Sequence, residues 1–521
     1  MGNYLFNPRL SWLSDPGNAA LLRQGLRGLE KESLRVDRKG HLSGWPHPES
    51  FGSALTHPYL TTDYSEAMLE FVTPPCPTNG ETVQCLRDLH AFVMQNMEQE
   101  LLWAQSMPCA MLPEFEIPVA DYGQSNQGMM KTVYRNGLGY RYGKKMQAIS
   151  GIHFNYSLPV EFWKPYRDRE QSSQVLQEFV SSQYMGLIRN YRRYSWLLIY
   201  LYGASPALCK SFLKGSNSAL KELDSCTWYG PFSTSLRMSG IGYRNKSQAS
   251  LRVSANSLDD YVSGLEAAVT TPNSKYEKIG VLVDGQYRQL NTNTLQIENE
   301  YYSSIRPKPR ADSTNRPISA LKKSGIEYLE IRTLDLNMRD PVGVNETQLC
   351  FMEALLIYCL LIESPPITQE EQAEIDMRDL LVAQEGRRKG LKLPRNGREV
   401  SFESWAIEIL EPIRDVAAVL DTGGKDYLSA VDFQISAAKE PELTPSAQIL
   451  AHMMETGTSF LDFTLECSNA HERYFSGLPL NLEKQEWLTR LAKVSLTEQQ
   501  QLEKHTEQSF GDYLQGYFEQ G

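Results

Sequence analysis

The stretch "RGLEKESLRV", Arg27 to Val36, decides how this chain is read. On a β-strand alternate residues share a face, so Glu30 and Glu32 point the same way and Lys31 points away. The two carboxylates fall with Leu34 and Val36, which makes this strand polar only at its start. Like charges on one face repel, and the pattern predicts something between them that neutralises both.

The same two-residue period sorts three further stretches. In "GIHFNYSLP", His153, Asn155 and Ser157 lie opposite Ile152, Phe154, Tyr156 and Leu158. In "GIEYLEIRTLDLN", Tyr328, Glu330 and Arg332 lie opposite Glu327, Leu329 and Ile331. In "QIENEYY", Gln296, Glu298, Glu300 and Tyr302 lie opposite Ile297, Asn299 and Tyr301. Strands with one polar and one apolar face describe an antiparallel sheet covered on one side. A half-solvated sheet has that pattern too, but here the polar faces carry carboxylates, His and Arg. If the sheet curves, these groups converge, and crowded carboxylates must shift upward or take up a cation.

"TTDYSEAMLEF" reads as a short helix or turn running into a strand, with Asp63, Glu66 and Glu70 on one helical face. An oxygen-rich set with one imidazole and no thiolate suits Mg²⁺ or Mn²⁺ rather than Zn²⁺. "SIRPKPR" adds Arg306, Lys308 and Arg310, and Arg332 stands beside Glu330. Acid and base interleaved in this way fit a metal–phosphate site. The chain has no G-x-x-x-x-G-K-[ST] loop and no G-x-S-x-G elbow, which argues against a P-loop NTPase and an α/β-hydrolase.

The 521 residues can bury a large core, and a net charge of −11 argues against nucleic-acid binding. The longest apolar run, "ALLIYCLLI" from Ala354 to Ile362, is about half of the ~20 residues a membrane span needs and reads as a buried helix. The N-terminus shows neither a signal-peptide pattern nor a myristoylation site. Eight scattered cysteines without a C-x-x-C pair read as reduced thiols, so a cytoplasmic protein with no membrane partner is expected. Amphipathic periods predict helices over 11–28, 80–103 and 172–206, and beyond about residue 344 helical patterns dominate. We expect a mixed α+β catalytic body at 1–343 and a helical part at 344–521 packed on it, together one compact unit.

In order, "RGLEKESLRV", "GSALTHPYLTTDYSEAMLEF", "RDLHAF", "MQAISGIHFNYSLP", "YLYGASPALC", "TSLRMSGIGYRNKSQ", "LQIENEYYSSIRPK" and "GIEYLEIRTLDLNMRDPVGV" resemble the bacterial class of glutamate–cysteine ligase. The likeness is densest over about 20–345. It implies an α+β fold related to glutamine synthetase, a curved antiparallel sheet forming a funnel with helices outside. It also implies the first step of glutathione synthesis: ATP phosphorylates the γ-carboxyl of L-glutamate, and the amino group of L-cysteine displaces phosphate. Carried over by position, Glu30, Glu32, Asp63, Glu70, His153 and Glu330 would ligate Mg²⁺, with Mn²⁺ a possible substitute. Arg332 would bind the transferring phosphoryl group beside Glu330, with Arg306 and Lys308 on the nucleotide phosphates. Tyr64, Tyr134, Arg135, Gln147, Arg237, Tyr243 and Tyr302 would hold the two amino acids, and a monomer is expected. A ligase using another acceptor amine, or a metal-dependent phosphohydrolase, would use the same carboxylates.

Overall fold

In the computed structural model, which describes residues 4–108, 110, 113–213, 220–242, 248, 251–310, 316–478, 480–505 and 508–519, the glutamate stretch lies inside a twelve-residue strand, β1, Leu26–Asp37. Six others join it in one antiparallel sheet: β2 (Leu60–Thr62), β3 (Met68–Val72), β4 (Glu100–Leu102), β5 (Ile152–Ser157), β11 (Ile305–Lys308) and β12 (Tyr328–Leu334). The remaining strands are short: β6 to β8 (Ala207–Cys209, Lys221–Glu222, Thr227–Tyr229) form a small sheet, and β9–β10 (Leu282–Val283, Gln286–Tyr287) and β13–β14 (Lys392–Arg395, Arg398–Ser401) form hairpins.

The main sheet runs β11-β12-β5-β1-β3-β2, with β4 also on β1. β1 is long enough to pair β5 through Leu26–Lys31, β3 through Glu30–Leu34 and β4 through Arg35–Asp37. One face is aliphatic and aromatic: Leu29, Leu69, Phe71, Ile152, Phe154, Tyr156, Leu329 and Ile331 are buried together with the helices behind them. Helix Glu346–Leu361 belongs to that core. It is apolar around its whole circumference, and every residue from Gln348 to Leu361 is buried, as expected of a helix with no polar stripe. Asn345 and Gln348 close its N-terminus as a capping box. The 27-residue helix Leu176–Tyr202 packs on it and on β11 and β12. Among the described residues no helix is long and apolar enough to cross a membrane.

Four sequence expectations are corrected. The helix over 11–28 is broken by Pro16 into Phe6–Leu13 and Pro16–Leu22, and Leu26 already starts β1. The helix over 80–103 is Asn79–Gln95, and Glu100–Leu102 is a strand on β1. Asp63, Glu66 and Glu70 do not share a helix: Glu70 is in the middle of β3, opposite Glu32, and Asp63 follows β2. The Glu66 carboxylate accepts the His47 and Asp121 amides, at 2.7 and 2.9 Å, and serves a loop. "QIENEYY" is not a strand but a 3₁₀ turn at Glu298–Glu300, because its two buried glutamates are pulled to different partners, Arg316 and Arg141.

Candidate active site

Strand register sets the polar face. Arg306 lies opposite Glu330, Glu330 opposite Asn155, Glu30 opposite His153, Glu32 opposite Glu70, and Glu70 opposite Thr61. Across β12, β5, β1 and β3 the side chains of Arg332, Glu330, His153, Glu30, Glu32 and Glu70 therefore stand on one side of the sheet. Lys31 stands on the other, buried against His90, with Nζ 2.7 Å from Nε2.

Hydrogen bonds hold the row in place. The Glu30 carboxylate sits 2.9 Å from His153 Nδ1 and accepts Asn155 Nδ2 at 2.9 Å. Glu32 accepts the Gly151 amide at 2.7 Å, and its other oxygen lies 3.8 Å from His153 Nε2. Arg332 donates to Glu330 at 2.5 Å and reaches within 3.4 Å of His153 Nδ1. Lys308 takes the second Glu330 oxygen, and Arg306 lies 3.7 Å from the first. A Cβ at Gly151 would collide with the Arg237 guanidinium, so a side chain where Glu32 is anchored would displace Arg237.

The row has an anionic and a cationic end. Burial and the Asp63 charge push Glu32 up to about 8, against the pull of Arg237 and Arg332. Glu70, buried and facing Asp63, Glu30 and Glu32, is raised well above the ordinary carboxylate range. Burial and Glu330 oppose the charge on Glu30, yet the His153 hydrogen bond and the Lys308 charge hold it below its usual value. Glu330 is buried, but Lys308, Arg332 and Arg306 keep it ionised, well below the usual range. Burial and Arg332 lower His153, leaving a neutral imidazole at pH 7.

Ligand atoms of Glu30, Glu70 and His153 all lie within 4.8 Å of one another. Three elements of the site fit a hard divalent ion: oxygen donors, one neutral imidazole, and two carboxylates whose repulsion a cation would relieve. Glu32 stands beside this trio. Asp63 is near enough to raise both Glu32 and Glu70. Glu330 differs, since cationic side chains already engage both of its oxygens.

The expected amino-acid residues divide into two groups. Arg135 donates to the Asp63 carbonyl, has Nη2 3.8 Å from the Asp63 carboxylate, and stacks 4.6 Å from the Tyr122 ring centroid. Tyr134, its neighbour on helix Asn126–Tyr142, is half-buried. Gln147 donates to the Tyr302 hydroxyl at 3.1 Å. Tyr64 and Arg237, by contrast, are 1 % exposed. Arg237 donates to the Arg332 carbonyl at 3.0 Å and lies 3.6 Å from Asp335, so in this state it braces the backbone beneath the row. Tyr243 lies outside the described residues, and Arg310 makes no described contact with the row.

Sequence reasoning passes over three residues. Asn155 is on the right face by period and is the second hydrogen-bond partner of Glu30. Tyr122, whose hydroxyl donates to the Thr62 and Asp63 carbonyls at 2.5 and 3.1 Å, stands in none of the quoted motifs. Asp335 accepts the Ser205 and Ser235 hydroxyls at 2.6 and 3.0 Å and the Ala204 amide at 2.9 Å. Through Asp335 the stretches "YLYGASPALC" and "TSLRMSGIGYRNKSQ" are tied to the end of β12.

The profile of the Glutamate-cysteine ligase family matches residues 10–382. The chain is 47% identical over 519 residues to the glutamate–cysteine ligase of Azotobacter vinelandii, covering 98% of each. With that of Pseudomonas fluorescens it shares 46% identity over 515 residues, covering 98% of this chain and 97% of the other. A crystal structure of glutamate–cysteine ligase from Francisella tularensis in complex with AMP superimposes with a TM-score of 0.90 at 34% identity, covering 95% of this chain and 98% of that one. A bifunctional glutathione synthetase from Pasteurella multocida superimposes with a TM-score of 0.75 at 25% identity, over 93% of this chain and 58% of that one.

Proposed function

The chain belongs to the glutamate–cysteine ligase family, and from that premise we propose that it joins the γ-carboxyl of L-glutamate to the amino group of L-cysteine at the expense of ATP. This is the first step of glutathione biosynthesis. In the reading proposed, a γ-carboxylate oxygen of glutamate attacks the γ-phosphorus of ATP, and ADP leaves. The cysteine nitrogen then attacks the carbonyl of the γ-glutamyl phosphate, and inorganic phosphate leaves with the bridging oxygen.

The observation that carries this is the single row Arg332–Glu330–His153–Glu30–Glu32–Glu70, cationic at one end and anionic at the other. Arg332 is the catalytic guanidinium: it would neutralise the phosphoryl group in flight, held by Glu330. Arg306 and Lys308 lie on Glu330 and would turn toward the nucleotide phosphates. Glu30, Glu32, Asp63, Glu70, His153 and Glu330 would hold Mg²⁺, or Mn²⁺ in its place. When bound, the cation lowers the repulsion between ATP and an anionic carboxylate. Arg135, Tyr134, Gln147 and Tyr302 would line the amino-acid pocket, with Tyr64, Arg237 and Tyr243 completing it. A guanidinium suits an α-carboxylate, and tyrosine rings give a small thiol an apolar wall.

We read the antiparallel sheet as the curved funnel of a glutamine-synthetase-like fold. Residues 1–343 and 344–521 form one compact unit, since helix Glu346–Leu361 shares its core with β1 and β12. The described cysteines are all free, which supports a reducing, cytoplasmic setting, and a monomer is proposed. The test is ADP release with ATP, Mg²⁺ and glutamate, comparing cysteine with 2-aminobutyrate and larger amines. Cysteine should give the highest kcat/KM; preference for a larger amine, or phosphate release without any amine, overturns the reading.

A further inference from the structure

The last described helix, Phe510–Glu519, lies nearly four hundred residues along the chain from helix Asn126–Tyr142 and packs against it. Phe510 and Leu514 are buried in one apolar cluster with Val133 and Leu290, against Met129, Met130 and Tyr134. Asn126, on the first turn of that helix, donates to the Gln508 carbonyl at 3.1 Å. The preceding helix, Leu482–Lys504, grips the adjoining loop: Gln499 donates to the Tyr122 carbonyl at 3.4 Å, and Glu503 accepts the Gln124 amide at 3.1 Å. Tyr122 in turn carries Arg135 on its ring and the Thr62 and Asp63 carbonyls on its hydroxyl. Both C-terminal helices thus hold, from outside, the segment that presents Tyr134 and Arg135.

We propose that the C-terminal helix is a clamp on the amino-acid pocket, with Phe510 and Leu514 as positioning residues for Tyr134 and Arg135. This rests on the reading of those two as amino-acid-binding. Phe510 and Leu514 themselves make no described contact with Arg306, Lys308 or Arg332, which stand on and beside β11 and β12; only the far end of the helix comes near, with Tyr517 against Arg316, 5.8 Å from its ring centroid. Loosening it should therefore weaken amino-acid binding and spare ATP. A helix that shifts by about 1 Å can cost a bound substrate its contacts without unfolding the protein.

The experiment uses the full chain with Phe510→Ala, Leu514→Ala, their double variant, and the conservative Phe510→Leu. We expect KM for glutamate or cysteine to rise about tenfold in the double variant, with the single variants graded between. KM for ATP should stay within about twofold, and Phe510→Leu should recover most of the loss. Thermal shift supplies a second readout: stabilisation by glutamate falls and stabilisation by ATP persists. If the double variant fails to fold, the single variants carry the same comparison. KM values for all three substrates rising together, or none rising, overturns the clamp while an active wild type leaves the functional reading intact. A wild type without glutamate- and cysteine-dependent ADP release overturns that reading and the clamp with it.

Discussion

Arg27 and Glu353 form a buried ion pair that joins β1 to helix Glu346–Leu361 on the face opposite Glu30 and Glu32. Arg27 Nε donates to Glu353 at 3.1 Å, and the Tyr427 and Tyr156 hydroxyls and the Asn79 amide donate at 2.6, 3.1 and 3.3 Å. The carboxylate is fully surrounded by donors, so its removal leaves a guanidinium without a counter-charge in the core. Glu353→Ala should cost about 3–5 kcal/mol in urea unfolding. Breaking the exposed pair Arg414–Asp432 should cost far less, because water screens it. Equal costs at the two sites would contradict the role of burial.

Arg332→Lys keeps the charge and loses the planar fork that bonds Glu330 and faces His153. It should lower kcat by about a hundredfold or more with an unchanged far-ultraviolet dichroism spectrum. A kcat within about threefold of wild type would remove Arg332 from the chemistry.

Glu32→Gln imitates the protonated carboxyl that burial favours when no cation is present. The variant should match or exceed the wild type in thermal stability without metal. Its midpoint should respond far less to added Mg²⁺, and turnover should collapse. A wild-type Mg²⁺ response would show that Glu32 is not a ligand.

The middle of this site is legible in the sequence and its edges are not. β5 and β12 alternate apolar residues with His, Glu or Arg, and in β1 the period puts Glu30 and Glu32 together, so it assigns Glu30, His153, Glu330 and Arg332 each to one face of its strand. Glu70 stands in the row, as expected, but not for the reason expected, since its seven-residue spacing from Asp63 imitates a helix. Its true place comes from pairing with Glu32 on β1, a long-range contact no local pattern encodes. Glu298 and Glu300 alternate like strand residues, but Arg316 and Arg141 consume them, and distance along the chain hides both partners. Tyr122 carries no signal, because its value lies in what it touches. The ligand set, reaction and amino-acid pocket come from family resemblance, which period and composition alone do not supply.

Besides His153, four histidines outside the row are held neutral by burial, which gives stability a pH dependence. Burial lowers His47 to about 3, His57 to about 4 and His471 to about 4, and His90 well below its usual value. Geometry agrees: His57 Nδ1 accepts the Tyr59 and Leu60 amides at 3.1 and 2.9 Å, and His90 Nε2 faces the Lys31 ammonium. Unfolded histidines bind protons near pH 6.5 and these folded ones do not, so the unfolded state takes up protons as pH falls. Their contribution is complete above about pH 6.5 and is lost toward pH 4, each group removing about 1.4 kcal/mol per pH unit. Glu32 and Glu70, raised in the folded state, oppose this as they protonate, so urea midpoints should decline from about pH 6.5 to 4.5 less steeply than four histidines alone would give, and midpoints that rise over that range would contradict neutral burial.

The central claim is that glutamate is activated as an acyl phosphate at the Arg332 end of the row. Glutamate labelled with ¹⁸O in its γ-carboxyl tests it most directly, because the bridging oxygen must leave with phosphate. The account predicts one ¹⁸O in the inorganic phosphate per γ-glutamylcysteine formed; unlabelled phosphate alongside that product would contradict it.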